Sequence, residues 1–113
     1  MNKKKLQIEQ LEEKLKVFNS AKKVTTPQTG WLKAIRISLG ISLQQIADKL
    51  SITKQSVQEM EIREKKGSIT LKNLSEAANV MDMQLIYGLV PKDGSLEELI
   101  DRKAQELATK IVS

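Results

Sequence analysis

The sequence predicts a mainly α-helical chain with one short β-strand. Three observations carry this. Apolar residues recur at alternating spacings of three and four along most of the chain, the period of one helix face. Hydrophobic residues make up 40% of the chain but aromatic ones only 3%, so the core is aliphatic. Runs of β-branched or aromatic residues are few, which favours helices. A length of 113 residues suits one compact domain with appendages and is too short for two well-built cores.

The first segment, about Lys3 to Lys22, places Ile8, Leu11, Leu15 and Phe18 in one narrow stripe, so residues 1–24 are expected to form an amphipathic helix. Val24-Thr25-Thr26-Pro27 ends it, because the residue before a proline is pushed out of the helical region. From Thr29, an expected N-cap, Trp31, Leu32, Ile35 and Leu39 follow at helical spacing, and Gly40 can take the left-handed terminal position. Ser42 caps a helix to about Leu50, and Thr53 caps another to about Glu64 after the three-residue break Ser51-Ile52-Thr53. The polar loop Lys65-Lys66-Gly67-Ser68 leads to a helix from Thr70 to about Val80, with Leu71, Leu74, Ala77 and Ala78 facing inward. Residues 83–90, bounded by Pro91 and Asp93-Gly94, read as the strand. A capping box of Ser95 with Glu98 opens a last helix carrying Leu96, Leu99, Ile100, Leu107 and Ile111 on one side.

The informative stretch is Leu43 to Glu61. Two short helices joined by a three-residue turn cross steeply, and a shared core then demands particular residues. Ile46 and Leu50 supply the inner face of the first helix, with the small Ala47 at the closest approach. Ile52 plugs the turn, and Val57 and Met60 line the inside of the second helix. Lys54, Gln55, Gln58 and Glu59, flanked by Ser56, are left on the outer face. Such a face suits base edges in a major groove, where Gln pairs with adenine and Lys with guanine.

Here the string SLQQIADKLSITKQSVQEMEIRE followed by ITLKNLSEAA resembles the Cro-and-phage-repressor (XRE) helix-turn-helix family over about Trp31 to Val80. The resemblance implies a five-helix repressor-like helix-turn-helix domain at 29–81; the residue patterns add the N-terminal helix at 1–24 and, at 82–113, the strand and C-terminal helix, expected to serve dimerisation. It puts the second helix into the major groove by its N-terminal end, and Thr53, Lys54, Gln55 and Glu59 at bases or nearby phosphates with Ser56 close by. Gln58 and Gln44 join the expected DNA-binding set. Arg36 and Glu61 occupy the positions of an internal ion pair in that family. The sequence departs from the pattern twice, with Leu43 where a phosphate-binding Gln is common and Ser51 where Gly is common. Ser51 must either turn left-handed or shift the turn.

The strings GWLKAIRISLGISL, EIREKKGSITL and MQLIYGLVPKDGSLEELI extend the likeness, over about Thr29 to Arg102, to the group named mobile mystery protein A. Members are small bacterial regulators encoded beside a Fic-domain protein, which implies an autoregulatory or antitoxin-like role. The short inhibitory motif of Fic regulators, Ser or Thr, three residues, then Glu and Gly or Asn, is absent from the sequence.

Charge supports the same reading more weakly. The net charge is +5, from 19 basic and 14 acidic residues, and all of the excess lies within residues 1–67. Arg63, Lys65 and Lys66 are expected to meet phosphates, which position a protein without specifying sequence. Lys22 and Lys23 read as a solvated helix end, and Trp31 as a packing residue. The chain contains no Cys and no His, which removes disulfides, thiolate and imidazole catalysis and the usual zinc ligands. No glycine-rich phosphate loop, membrane span or secretory leader is evident, so the expectation is a cytoplasmic non-enzyme without cofactor or metal.

No second strand is evident to pair with 83–90. The expected partner is the same strand of a second copy, antiparallel about a two-fold axis, through Met83, Leu85, Tyr87 and Leu89; an extended segment packed on its own domain is the alternative. A homodimer would hold two recognition helices ~34 Å apart, matching a palindromic operator in double-stranded DNA. The function expected is therefore a sequence-specific transcriptional repressor. The runner-up is a protein-interaction module or antitoxin that binds a Fic-domain partner, with DNA binding secondary.

Overall fold

The computed structural model describes residues 3–112. Residues 26–86 form one compact unit, and 3–25 with 87–112 form another. Among the described residues there are six α-helices and one 3₁₀ helix: α1 (Lys3–Lys16), the 3₁₀ helix (Asn19–Lys23), α2 (Trp31–Ser38), α3 (Leu43–Leu50), α4 (Lys54–Lys66), α5 (Leu71–Val80) and α6 (Leu96–Val112).

Four helices, α2 to α5, build the first unit rather than the expected five, because the chain unwinds after α5. Its core is a single cluster of Leu32, Ile46, Ala47, Val57, Met60, Ala77 and Met81, with Ile35, Ile41, Leu43, Leu50, Ile69, Leu74 and Val80 packed against it. Ala47 is completely enclosed, so a larger side chain there would force the helices apart. Leu71, expected to face inward, is instead exposed.

Local chemistry sets the helix ends. Ser42, Thr53 and Thr70 cap α3, α4 and α5 by accepting from the amides of Gln45, Ser56 and Asn73 at 3.1, 3.0 and 3.1 Å. Gln45 returns the bond, its Oε1 accepting from the Ser42 amide at 2.7 Å, which completes a capping box. At the other ends the chain turns left-handed at Gly40, Ser51, Gly67 and Asp82. The amides of Ile41, Ile52, Ser68 and Met83 then reach back five residues to the carbonyls of Arg36, Ala47, Arg63 and Ala78. This repeated closure satisfies carbonyls that a helix end otherwise leaves open.

α2 begins differently. Gly30 is its N-cap at φ +90° with no side-chain cap, and the hydroxyl of Thr29, the expected cap, donates to the Gly30 carbonyl at 3.3 Å. The first two amides of α2, Trp31 and Leu32, are instead taken by the Glu64 carboxylate, each at 2.8 Å.

The expected strand at 83–90 is absent. Met83 folds back to Ala78, and among the described residues the backbone beyond it to Val90 makes no backbone bond to another segment. Ile86 and Tyr87, neighbours that a strand would point to opposite faces, are 71% and 70% exposed, and Leu89 is 82% exposed. A strand needs a ladder partner, and the described residues of one copy supply none.

In the second unit α1 stops at Lys16, six residues short of expectation, and the chain tightens into the 3₁₀ helix. Gly88 passes so near the Phe18 ring that a Cβ there would lie 3.0 Å from it. Lys22 donates to the Pro91 carbonyl at 2.6 Å. Ser95 caps α6 through the Glu98 amide at 3.1 Å, while Glu12 of α1 accepts from the amides of Leu96 and Glu97 at 2.9 and 3.4 Å. Arg102 grips Asp93 by two hydrogen bonds at 2.9 and 3.1 Å and Glu106 by one at 2.7 Å. These bonds, to Asp93 first and Glu106 second, hold its guanidinium above the ordinary arginine pKa. No described helix is long and apolar enough to cross a membrane.

Candidate nucleic-acid interface

The site is built on α3, the turn at Ser51-Ile52 and α4. Ser51 resolves the question its position raised by adopting the left-handed conformation, φ 56° and ψ 43°. The turn is therefore unshifted, at the steric cost of an L-residue in that region. Thr53 then starts α4, whose inner positions Val57, Met60 and Glu61 are buried. Helical geometry leaves Lys54, Gln55, Gln58 and Glu59 exposed on the outside, with Ser56 half-buried beside them.

Glu61 is a charge placed inside. It pairs with Arg36 of α2 through Nε to Oε2 at 2.6 Å and Nη2 to Oε1 at 3.2 Å, and Arg36 Nη1 donates to the Ile41 carbonyl at 3.2 Å. The side chains are only 13% and 7% exposed, so the pair fixes the roll of α4 about its axis and takes no part in an outward face.

Several outer residues already hold partners. The Thr53 hydroxyl lies 2.8 Å from that of Ser56 besides capping it, so both serve to shape the first turn. Glu59 faces Arg63 at 3.6 Å along α4, an exposed pair worth at most about 1 kcal/mol and easily redirected. Gln44 donates to Asp48 at 2.8 Å on α3. Lys54, Gln55 and Gln58 stand out as side chains with no such bond among the described residues. Lys65 and Lys66, expected in a loop, form with Arg63 the basic last turn of α4, where they also complement the helix dipole.

A groove of ≈ 330 Å³ opens where α2, α3 and α4 meet. Leu43 and Ile62 give it an apolar wall, and Lys33, Lys65 and Gln58 stand around it. Leu43 thus packs against the core and offers no donor to phosphate. Two residues that hold this site together escaped the sequence reading. Gln45 was discoverable from the Ser-x-x-Gln spacing of a capping box. Glu64 was not, because its amide partners lie 33 and 32 residues away.

A buried two-helix wedge with a polar outer face on its second helix defines a DNA-binding regulator of the helix-turn-helix class. Residues 32–87 match the family model described as Helix-turn-helix. That segment is of the Cro-and-phage-repressor (XRE) helix-turn-helix type, a DNA-binding regulatory family. No curated protein and no solved structure matches the chain.

Proposed function

We propose that the chain is a sequence-specific repressor that binds a palindromic operator in double-stranded DNA as a homodimer, with its own promoter as the first candidate. The observation that carries this reading is the first two turns of α4. They are locked in roll by the buried Arg36–Glu61 pair and capped by Thr53, and they present Lys54, Gln55 and Gln58 unengaged. Preorganised amide and ammonium donors on a helix that fits the major groove are what base readout requires. Lys33, Lys65 and Lys66 supply sequence-independent attraction to phosphate. Repression follows sterically, since an occupied operator excludes polymerase.

The test is binding to DNA from upstream of its own gene at several salt concentrations. These three lysines on each of two copies neutralise about six phosphates and give a logarithmic slope near −5.4, so affinity should fall on the order of 1,000-fold from about 50 to 200 mM salt. A flat salt response, or equal affinity for that DNA and for random DNA, refutes the proposal. The likeness of 29–102 to mobile mystery protein A supports a second, antitoxin-like reading with a Fic-domain partner; co-expression with the neighbouring gene product, followed by purification of a stoichiometric complex, tests it.

A further inference from the structure

Two carboxylates of α4 reach α2, and they hold it at different points. Glu61 grips the Arg36 guanidinium near the end of α2, whereas Glu64 takes the first two amides of that helix, Trp31 on Oε2 and Leu32 on Oε1. Three residues along a helix turn a side chain by about 60° and advance it by about 4.5 Å, so both carboxylates leave α4 on the side that faces α2. Gly30 makes the seat possible, since a Cβ there would lie 2.7 Å from Glu64 Oε1. Both oxygens of Glu64 are thereby spent inward, and the residue is half-buried.

The two anchors constrain different motions. One anchor fixes the separation of two helices and the roll of one of them but leaves them free to scissor about it, and a second anchor away from the first removes that freedom. On α2 the anchored groups lie four to five residues apart, about 6–7 Å along the axis. The side chains that would meet bases lie toward the other end of α4. Gln55 is six residues from Glu61, about 9 Å along the axis, so a scissoring of only about 3° about the Arg36–Glu61 pair displaces it by the roughly 0.5 Å that a preorganised site tolerates. Val57 and Met60 bury against the same core, but apolar contact is non-directional and sets an angle less sharply than two hydrogen bonds do.

We infer, on the proposed reading of bases by α4, that Glu64 is a positioning residue for sequence discrimination. It touches no base; through the amides of Trp31 and Leu32 it fixes the crossing angle at which α4 presents Lys54, Gln55 and Gln58. This role accounts for a carboxylate in a turn that is otherwise basic through Arg63, Lys65 and Lys66. At that place a negative charge opposes both the helix dipole and the attraction of phosphate.

The test uses the intact chain and two variants: Glu64→Ala removes the clamp, and Glu64→Gln removes the same charge but keeps one acceptor oxygen. Hydrogen exchange checks the bonds without DNA. The amides of Trp31 and Leu32 sit in a first helical turn that offers them no acceptor, so they should exchange at least about tenfold faster in Glu64→Ala than in the parent; equal rates overturn the clamp. Affinity is then measured for DNA from upstream of the gene and for random DNA, at a temperature where circular dichroism shows the variants as helical as the parent. The ratio of the two affinities should fall at least about tenfold in Glu64→Ala and about threefold in Glu64→Gln, which carries the test alone if Glu64→Ala does not fold. Affinity for random DNA should stay level or rise, because a negative charge has been removed near the phosphates. A merely structural role would instead lower both affinities together and leave their ratio unchanged. An unchanged ratio overturns the inference while the proposed function stands, and an equal fall in the two variants traces the effect to charge and overturns it too. A parent without preference for the upstream DNA overturns both.

Discussion

Replacing Arg36 by Met isolates the energetics of the pair beneath the reading face. The change keeps length and apolar bulk while stranding the Glu61 carboxylate, 7% exposed, without the two hydrogen bonds at 2.6 and 3.2 Å that satisfy it. Removing one partner of a buried pair costs about 3–5 kcal/mol, because the other charge stays desolvated. A unit of the size of 26–86 is stabilised by about 3–9 kcal/mol in total, so Arg36→Met should leave it marginally folded at room temperature. The double variant Arg36→Met with Glu61→Leu removes the stranded charge and should recover most of the loss, to within about 1 kcal/mol of the parent. Urea is the denaturant for this comparison, since guanidinium would screen charge. The Arg36→Met loss should change little between low and high salt, unlike that of an exposed pair. A cost below about 1 kcal/mol, or a double variant no more stable than the single one, would refute the reasoning.

Three further outcomes are expected. Gly30→Ala should destabilise the first unit by about 1–3 kcal/mol in thermal or urea unfolding, since a Cβ there meets Glu64 Oε1 at 2.7 Å and φ is +90°; combined with Glu64→Ala, the loss should be less than the sum. Ser51→Gly should stabilise by about 0.5–1 kcal/mol in the same assay by relieving the left-handed serine, because this gain of about 1–2 kcal/mol exceeds the entropy that glycine adds to the unfolded chain. In DNA binding, Gln55→Ala should cost about 1–3 kcal/mol on the preferred sequence and little on random DNA, whereas Lys66→Ala should weaken both alike and reduce the salt slope by about 2, one for each copy of the proposed dimer. Identical effects of the two changes on both DNAs would show that the roles are misassigned.

The wedge of α3 and α4 was legible because its constraints are local. Ile46, Ala47, Val57 and Met60 are buried at the spacings helices dictate, and Ser42, Thr53 and Thr70 announce their helices through residues three positions away. Residues 83–90 misled for the opposite reason. Their composition favours a strand, but a strand exists only through a non-local ladder, and Ile86 and Tyr87 lie side by side in the open. The early end of α1 at Lys16 and the capping of α2 by Glu64 were equally out of reach, the latter because no local pattern records a partner more than thirty residues away. Within the site, sequence named the outer face of α4, but only the structure shows that Glu59 and Gln44 already hold bonds.

The seat of Glu64 also decides how this domain can meet a polyanion. The start of a helix, with its unclaimed amides and partial positive charge, is ordinarily a ready phosphate site. At α2 that site is occupied by the protein's own carboxylate, which fills the amides and repels any second anion. Under the proposed function, a DNA backbone lying along this edge would be met by ammonium groups such as Lys33 and Lys65 rather than by rigid main-chain donors. Phosphate contacts here should accordingly adjust to variation in the duplex, leaving geometric exactness to α4.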